Sequence, residues 1–187
     1  DPRIGVVGPM TNSTSGPQAL AEVGYDVRTL DGLDAFAARR AQQYAGKWMP
    51  YWRVVGFCMM IRREVVDRIG GLDPIYGKGN FEDDDYCVRS AVAGFDTVVV
   101  GDSFVHHFGG TTFRANEMDH RKALLHNWEV FKQKWAVPET VAYGQRLAFD
   151  MTPILQQPFD PARHLVALPA PAAADVPAFP VALQQFQ

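Results

Sequence analysis

Cysteine is scarce in this chain of 187 residues: only Cys58 and Cys87 occur, far apart and without a CxxC partner. That argues against a thiolate zinc site or a dithiol redox motif, and leaves both as small buried apolar residues in a reducing compartment. No apolar run approaches the roughly 20 residues needed to span a bilayer, and no signal peptide opens the chain. The expectation is a soluble protein of cytoplasmic location, at most peripheral to the inner face of the membrane. Positive charge is not in excess either. The net charge is −3, and the basic residues run no longer than the pairs Arg39-Arg40 and Arg62-Arg63. A nucleic-acid footprint would need clustered Lys and Arg, so nucleic acid is excluded as a partner. Neither GxGxxG nor GxxxxGK[ST] occurs, and there are no internal repeats.

What is present is a globular composition, 47% hydrophobic and 21% charged, long enough for one domain with its own core. The chain opens on Ile4-Gly5-Val6-Val7-Gly8-Pro9, a buried strand running into a turn. With no lead-in before that strand, the expectation is a domain truncated at its N-terminus. Thr11 to Gly24 reads as a polar loop. Leu33, Phe36, Ala37, Ala41 and Tyr44 are spaced as one face of a helix, with Arg39, Arg40 and Gln43 toward water and Asp31 or Asp34 at its start. Val54 to Ile61 is apolar on both alternating faces, the pattern of a strand buried on both sides. A short helix from Arg62 to Ile69 closes at Gly70-Gly71.

After a glycine-rich loop come Phe81 and the acids Glu82-Asp83-Asp84-Asp85, then a helix from Tyr86 to Ala93. Thr97 to Val100 and Phe104 to His107 read as two strand segments. Met118, Leu124, Leu125, Trp128, Phe131 and Trp135 form one face of a longer helix ended by Pro138. Strands and helices alternate, so the fold class is α/β. Residues 1–157 form the domain and 158–187 a Pro/Ala-rich tail or linker; Val166 to Val181 forms no core of its own.

Three groups of residues bear chemistry. Four adjacent carboxylates at a helix start exceed what dipole compensation needs, and they repel one another. Helical spacing spreads them around the axis, so they cannot share one partner. A partly buried member would be driven toward the proton affinity of a general base. His106 and His107 follow a strand and point to opposite faces, ahead of a glycine pair whose backbone N–H groups can approach a phosphate. Trp48, Tyr51 and Trp52 are aromatic faces suited to stacking on sugar rings or to anchoring a loop. The loop Gly8-Pro9-Met10-Thr11-Asn12-Ser13 is a surface turn or an acceptor-facing loop.

These pieces fall into one ordered series. It runs Val55-Gly56-Phe57-Cys58-Met59-Met60-Ile61-Arg62-Arg63-Glu64, Ile69-Gly70-Gly71-Leu72-Asp73-Pro74, Phe81-Glu82-Asp83-Asp84-Asp85-Tyr86-Cys87-Val88-Arg89, Ala93-Gly94-Phe95, and His107-Phe108-Gly109-Gly110-Thr111-Thr112. The series resembles the second, acceptor-binding half of the family 2 glycosyltransferases, inverting enzymes of the GT-A type. The resemblance covers roughly residues 1–135. It implies a mixed sheet flanked by helices, a nucleotide-diphospho-sugar donor, a carbohydrate or glycoconjugate acceptor, and a divalent metal, Mn or Mg, in the complete enzyme. It implies Asp83 as the catalytic base and Glu82 as the residue that orients the acceptor. Gly56, Phe57 and Cys58 would line the acceptor side, with Trp48 as an acceptor-binding aromatic. Asp85 and Arg89 would support the acidic loop. His107, or alternatively His106, would meet the metal or the diphosphate.

The family's Asp-x-Asp metal motif is absent ahead of Asp83. The expectation is that this chain lacks the donor site and is inactive alone, and that apolar surface facing the missing half favours a homo-oligomer. Two other readings compete: a metal-dependent hydrolase built on Glu82, Asp83, Asp85 and a histidine, and a non-catalytic carbohydrate-binding or scaffold module.

Overall fold

The computed structural model describes residues 1–109 and 117–168. Gly110, Thr111 and Thr112, the side chain of Met118 and residues 169–187 lie outside the described residues. Four strands form one mixed sheet in the order β2-β4-β1-β3. They are β1 (Ile4–Met10), β2 (Trp48–Pro50), β3 (Met60–Ile61) and β4 (Asp96–Phe104). The central pair β1 and β4 is parallel, with Val7 opposite Val98 and Gly8 opposite Val99; β2 and β3 add antiparallel edges. The helices are α1 (Leu33–Gln43), α2 (Arg63–Ile69), α3 (Glu82–Val92), α4 (Glu117–Trp135), α5 (Thr152–Leu155) and α6 (Pro161–His164). This is the expected α/β class, a mixed sheet flanked by helices.

α3 lies between the two cores. One joins it to β1, β4 and α2 through Val6, Val54, Val65, Ile69, Cys87 and Val99. The other joins it to α4 and the following segment through Val88, Val92, Trp128, Phe131, Trp135 and Ile154. Burial of each such side chain is worth about 1.5–3 kcal/mol. Nine of the eleven residues of α3 are buried. Its polar members therefore sit where an unpaired charge is costly, and each must find a partner.

Several sequence expectations are corrected. Val54 to Ile61 is not a strand along its length; only Met60–Ile61 pairs, and Met60 is 74% exposed. The reason is where its backbone donors go. The N–H groups of Val54, Val55 and Gly56 donate in turn to Cys87 Sγ (3.4 Å), Gln18 Oε1 (2.7 Å) and Asp83 Oδ2 (2.6 Å). Side chains from elsewhere take the bonds a sheet ladder would have used. Thr97 to Val100 and Phe104 to His107, read as two segments, give one strand, β4, that ends at Phe104; Val105 to His107 are not strand. The third helix begins at Glu82, four residues before Tyr86, so all four acids lie in its first turn. Arg40 turns inward, its guanidinium 4.4 Å from the Tyr44 ring centroid, and Leu125 is 43% exposed. Gly32 precedes α1 in a left-handed conformation without a side-chain cap, and Asp34 sits in its first turn.

Residues 158–168, placed in the tail by composition, pack on the domain. His164 is buried and stacks on Trp135 at 5.3 Å. Val166 bridges to Gly70, whose φ of +76° and approach to the Val166 carbonyl leave no room for a side chain: an added Cβ would lie 1.6 Å from that oxygen. No helix among the described residues is long and apolar enough to cross a membrane.

Candidate active site

The loops that leave β1 and β4 start at the same end of the parallel pair, where open α/β sheets hold ligands. Met10 lies opposite Phe104 at that end, and the chain continues into Thr11–Ala19 on one side and His106–His107 on the other. The loop at 53–57 and the first turn of α3 complete the group. Phe81, the residue before α3, has φ +75°, and Asn80 has φ +72°. Left-handed conformations of non-glycine residues cost of order 1–3 kcal/mol each and need outside support. Asn127 of α4 supplies it: its Nδ2 donates to the carbonyls of Tyr76 (2.8 Å), Gly79 (2.8 Å) and Asn80 (3.1 Å). The Phe81 ring packs against Trp128 and Phe131.

The helical twist then sends the four acids to different partners. Asp85 turns into the core, fully buried: its Oδ2 takes Arg89 Nε at 2.7 Å, and its Oδ1 takes Trp135 Nε1 (3.0 Å), Lys134 Nζ (2.7 Å) and Tyr76 OH (3.3 Å). Arg89, also fully buried, extends the network to the carbonyls of Ile69 (2.9 Å) and Gly71 (2.8 Å). Asp84 forms a buried ion pair with Arg53. Burial pushes the Asp84 carboxyl up, to about 7, while the Arg53 guanidinium pulls it down. Glu82 is half-buried, and burial followed by the charge of Asp83 raises its carboxyl above the usual range.

Asp83 and Asp84 both reach a cavity, and of the two Asp84 is already paired with Arg53. Asp83 is 8% exposed, and its carboxylate accepts from Gly56 N (2.6 Å) and Asp84 N (2.9 Å), two backbone donors that fix its orientation. It lines a cavity of about 140 Å³ together with Asp84, Arg53, Asn80, Tyr143 and Arg146. Gly56 is exposed and lies directly over this carboxylate; an added Cβ would stand 3.2 Å from Asp83 Cβ. The next residue, Phe57, stacks face to face on His107, with centroids 4.8 Å apart and planes 13° apart. A single turn of backbone thus touches both the carboxylate and the imidazole.

The two histidines, beyond the end of β4, turn to different partners. His107 Nδ1 donates to the Ser13 carbonyl (2.7 Å), and its backbone exchanges two hydrogen bonds with the Asn12 side chain. A carbonyl can only accept, so in the neutral ring Nε2 carries the lone pair. That tautomer suits a metal ligand. His106 goes the other way, its Nδ1 2.6 Å from the Tyr25 hydroxyl and its ring edge-on to Phe108. Desolvation raises the Tyr25 phenol, which fits its role as donor there.

The structure therefore joins Asp83 to Gly56 and, through the neighbouring Phe57, to His107, with Asp85 and Arg89 beneath. Of these expected residues only Asp83 lines the cavity; Gly56, Phe57, His107 and Glu82 do not. Trp48 is not part of this group; it lies 49% exposed on edge strand β2, beside a different groove formed with Arg40, Tyr44 and Met49. The hydrolase ligand set is not assembled, because Asp85 is committed to Arg89 and Lys134. Among the described residues no three His, Cys, Asp or Glu side chains gather as a metal site. Nε2 of His107 can serve as one ligand to a divalent cation, and the described residues supply no group of three such ligands.

Arg53, Asn127, Tyr143 and Arg146 were not foreseen. Arg53 had a visible signal, a lone cation directly ahead of an apolar run; the other three stand in stretches whose pattern says nothing about the site.

The family described as "Glycosyltransferase like family 2" matches residues 1–134. No curated protein and no solved structure matches the chain.

Proposed function

The chain belongs to the glycosyltransferase-like family 2, and from that premise we propose that it forms the acceptor side of an inverting glycosyl transfer with Asp83 as the general base. Membership brings with it a nucleotide-sugar donor and an acceptor in general terms. The observation that carries the finer reading is the setting of Asp83: a carboxylate oriented by Gly56 N at the wall of a polar cavity, beside the Phe57–His107 stack.

In this reading an acceptor hydroxyl enters the cavity and gives its proton to Asp83 as its oxygen attacks the anomeric carbon. The new C–O bond forms while the bond to the diphosphate breaks on the opposite face, so configuration inverts. The two N–H donors on Asp83 leave further lone pairs of its oxygens for the incoming hydroxyl. A divalent cation held in part by His107 Nε2 would supply charge neutralisation to the leaving diphosphate. Asp85 and Arg89 hold the first turn of α3 in place and touch neither reactant. No Asp-x-Asp precedes Asp83 in the sequence, so we assign the nucleotide-binding elements to residues outside this chain and expect little transfer from the chain alone.

Proton NMR of the product anomer, formed by the native protein from a nucleotide sugar, tests this directly. Inversion is expected; a product that keeps the donor's configuration would remove the single-displacement mechanism.

A further inference from the structure

The cavity at Asp83 has a wall that the family-matched residues do not supply. Tyr143 and Arg146 line it, and both lie beyond residue 134, where the match ends. We infer that these two residues select the acceptor and that the acceptor end they select is an uncharged, polyhydroxylated sugar ring; the inference rests on the reading of Asp83 as the base.

Size, charge and donor geometry support it. The cavity holds about 140 Å³, below the roughly 300–1,000 Å³ of pockets that enclose whole ligands, so it suits one ring and not a folded-over lipid chain. Its charges balance: the carboxylates of Asp83 and Asp84 face the guanidiniums of Arg53 and Arg146, and Arg53 is already paired with Asp84. With that pair formed, an anionic acceptor would meet the Asp83 carboxylate beside the one guanidinium left to bind it, that of Arg146. Hydroxyls, which both donate and accept, match a lining of carboxylate, guanidinium, amide and the Ser15 hydroxyl.

Arg146 has donors to offer. Its guanidinium lies over the Tyr143 ring, 3.9 Å from the centroid, and Nη1 donates to the Tyr143 carbonyl at 3.1 Å. Among the described residues it forms no ion pair, which leaves the rest of a rigid fork for a pair of neighbouring hydroxyls. The wall is fixed, not loose. Trp128 Nε1 donates to the Val141 carbonyl (3.1 Å) and Lys132 Nζ to that of Glu139 (3.0 Å), tying the segment to α4. The Tyr143 ring meets Phe81 edge-on at 6.1 Å, two residues before the base. A segment outside the shared family region thus adjoins the shared base directly, which is where acceptor preference can change without altering the chemistry.

The test uses the native protein with a nucleotide sugar and a panel of methyl glycosides, neutral and uronate, and compares wild type with Arg146→Gln, Arg146→Lys and Tyr143→Phe. Losing a charged hydrogen-bonding fork should raise the acceptor KM for neutral glycosides by about tenfold or more in Arg146→Gln, with donor KM and donor hydrolysis unchanged. Arg146→Lys, which keeps the charge, should fall between. Acceptor KM within twofold of wild type in both Arg146→Gln and Tyr143→Phe, or a wild-type preference for the uronates, would overturn the inference. Saturation-transfer NMR of the wild-type chain with the same glycosides reads the site without turnover: loss of the neutral-glycoside signal in Arg146→Gln is expected, and an undiminished signal would contradict it. A protein that turned over no nucleotide sugar at all would instead refute the transferase reading, which these binding data leave separate.

Discussion

Replacing Asp85 by Asn removes one negative charge from a site with no access to water and leaves the volume nearly unchanged. Four donors converge on this carboxylate, from Arg89, Lys134, Trp135 and Tyr76, and Asp85 and Arg89 are both 0% exposed. An Asn amide would turn its own donors toward some of these and leave the Arg89 charge uncompensated. Breaking a buried pair from one side costs about 3–5 kcal/mol, a large share of the roughly 5–15 kcal/mol that holds a domain together. For a chain of this size about 2–4 °C of melting temperature is lost per kcal/mol, so a fall of roughly 6–20 °C is expected. Urea unfolding followed by tryptophan fluorescence suits the measurement, since Trp135 reports from inside the network. A double-mutant cycle with Arg89→Met should show a coupling of about 1 kcal/mol or more, as residues sharing one network do. A melting point within 2 °C of wild type, or strictly additive costs, would refute the assignment of these residues to structural support.

Asn127→Ala removes the amide that holds three carbonyls ahead of α3; a loss of about 2–4 kcal/mol is expected in urea unfolding, together with a kcat reduction below the melting point because Asp83 follows the released turn. His164 gives a pH signature. Burial, then the charge of Arg163, holds its imidazole below the usual range. Its neutral form is therefore favoured by the fold: the stability it contributes is complete above the unfolded value of about 6.5 and is lost as pH falls through the lower folded-state value. His164→Gln, which keeps an acceptor for Asp160 N, should flatten that acid-side decline, and an unchanged difference between wild type and variant from pH 7 to pH 5 would contradict the sign.

The elements were legible where periodicity and burial agree. Trp128, Phe131 and Trp135 lie on one buried face of α4, as their spacing requires, and α2 ends at Gly70, where the left-handed backbone and the Val166 carbonyl demand glycine. The loop at 54–59 was misread because its apolar pattern reports burial only. Its backbone donors go to Cys87, Gln18 and Asp83, residues distant in sequence, and no local pattern encodes that. The acidic run announced the site, but the division of its members among Arg53, Arg89 and the open cavity followed from tertiary packing. Trp48 shows the opposite failure: an aromatic beside two others in sequence, yet placed by strand pairing with Val100 on a different edge of the sheet. Tyr143 and Arg146 lie in a stretch with no periodicity, and only the chain's return over α4 brings them to Asp83.

The most direct measurement is transfer by the native protein carrying Asp83→Asn, which keeps the shape of this side chain and an acceptor for one of its two backbone donors but takes no proton. A general base contributes about 10²–10⁴-fold, so kcat measured below the melting point should fall by that factor with donor affinity little changed, while the backbone donor left without an acceptor costs about 1–3 kcal/mol of stability. Turnover within a few-fold of wild type would contradict the assignment of the proton to Asp83 and, with it, the site described above.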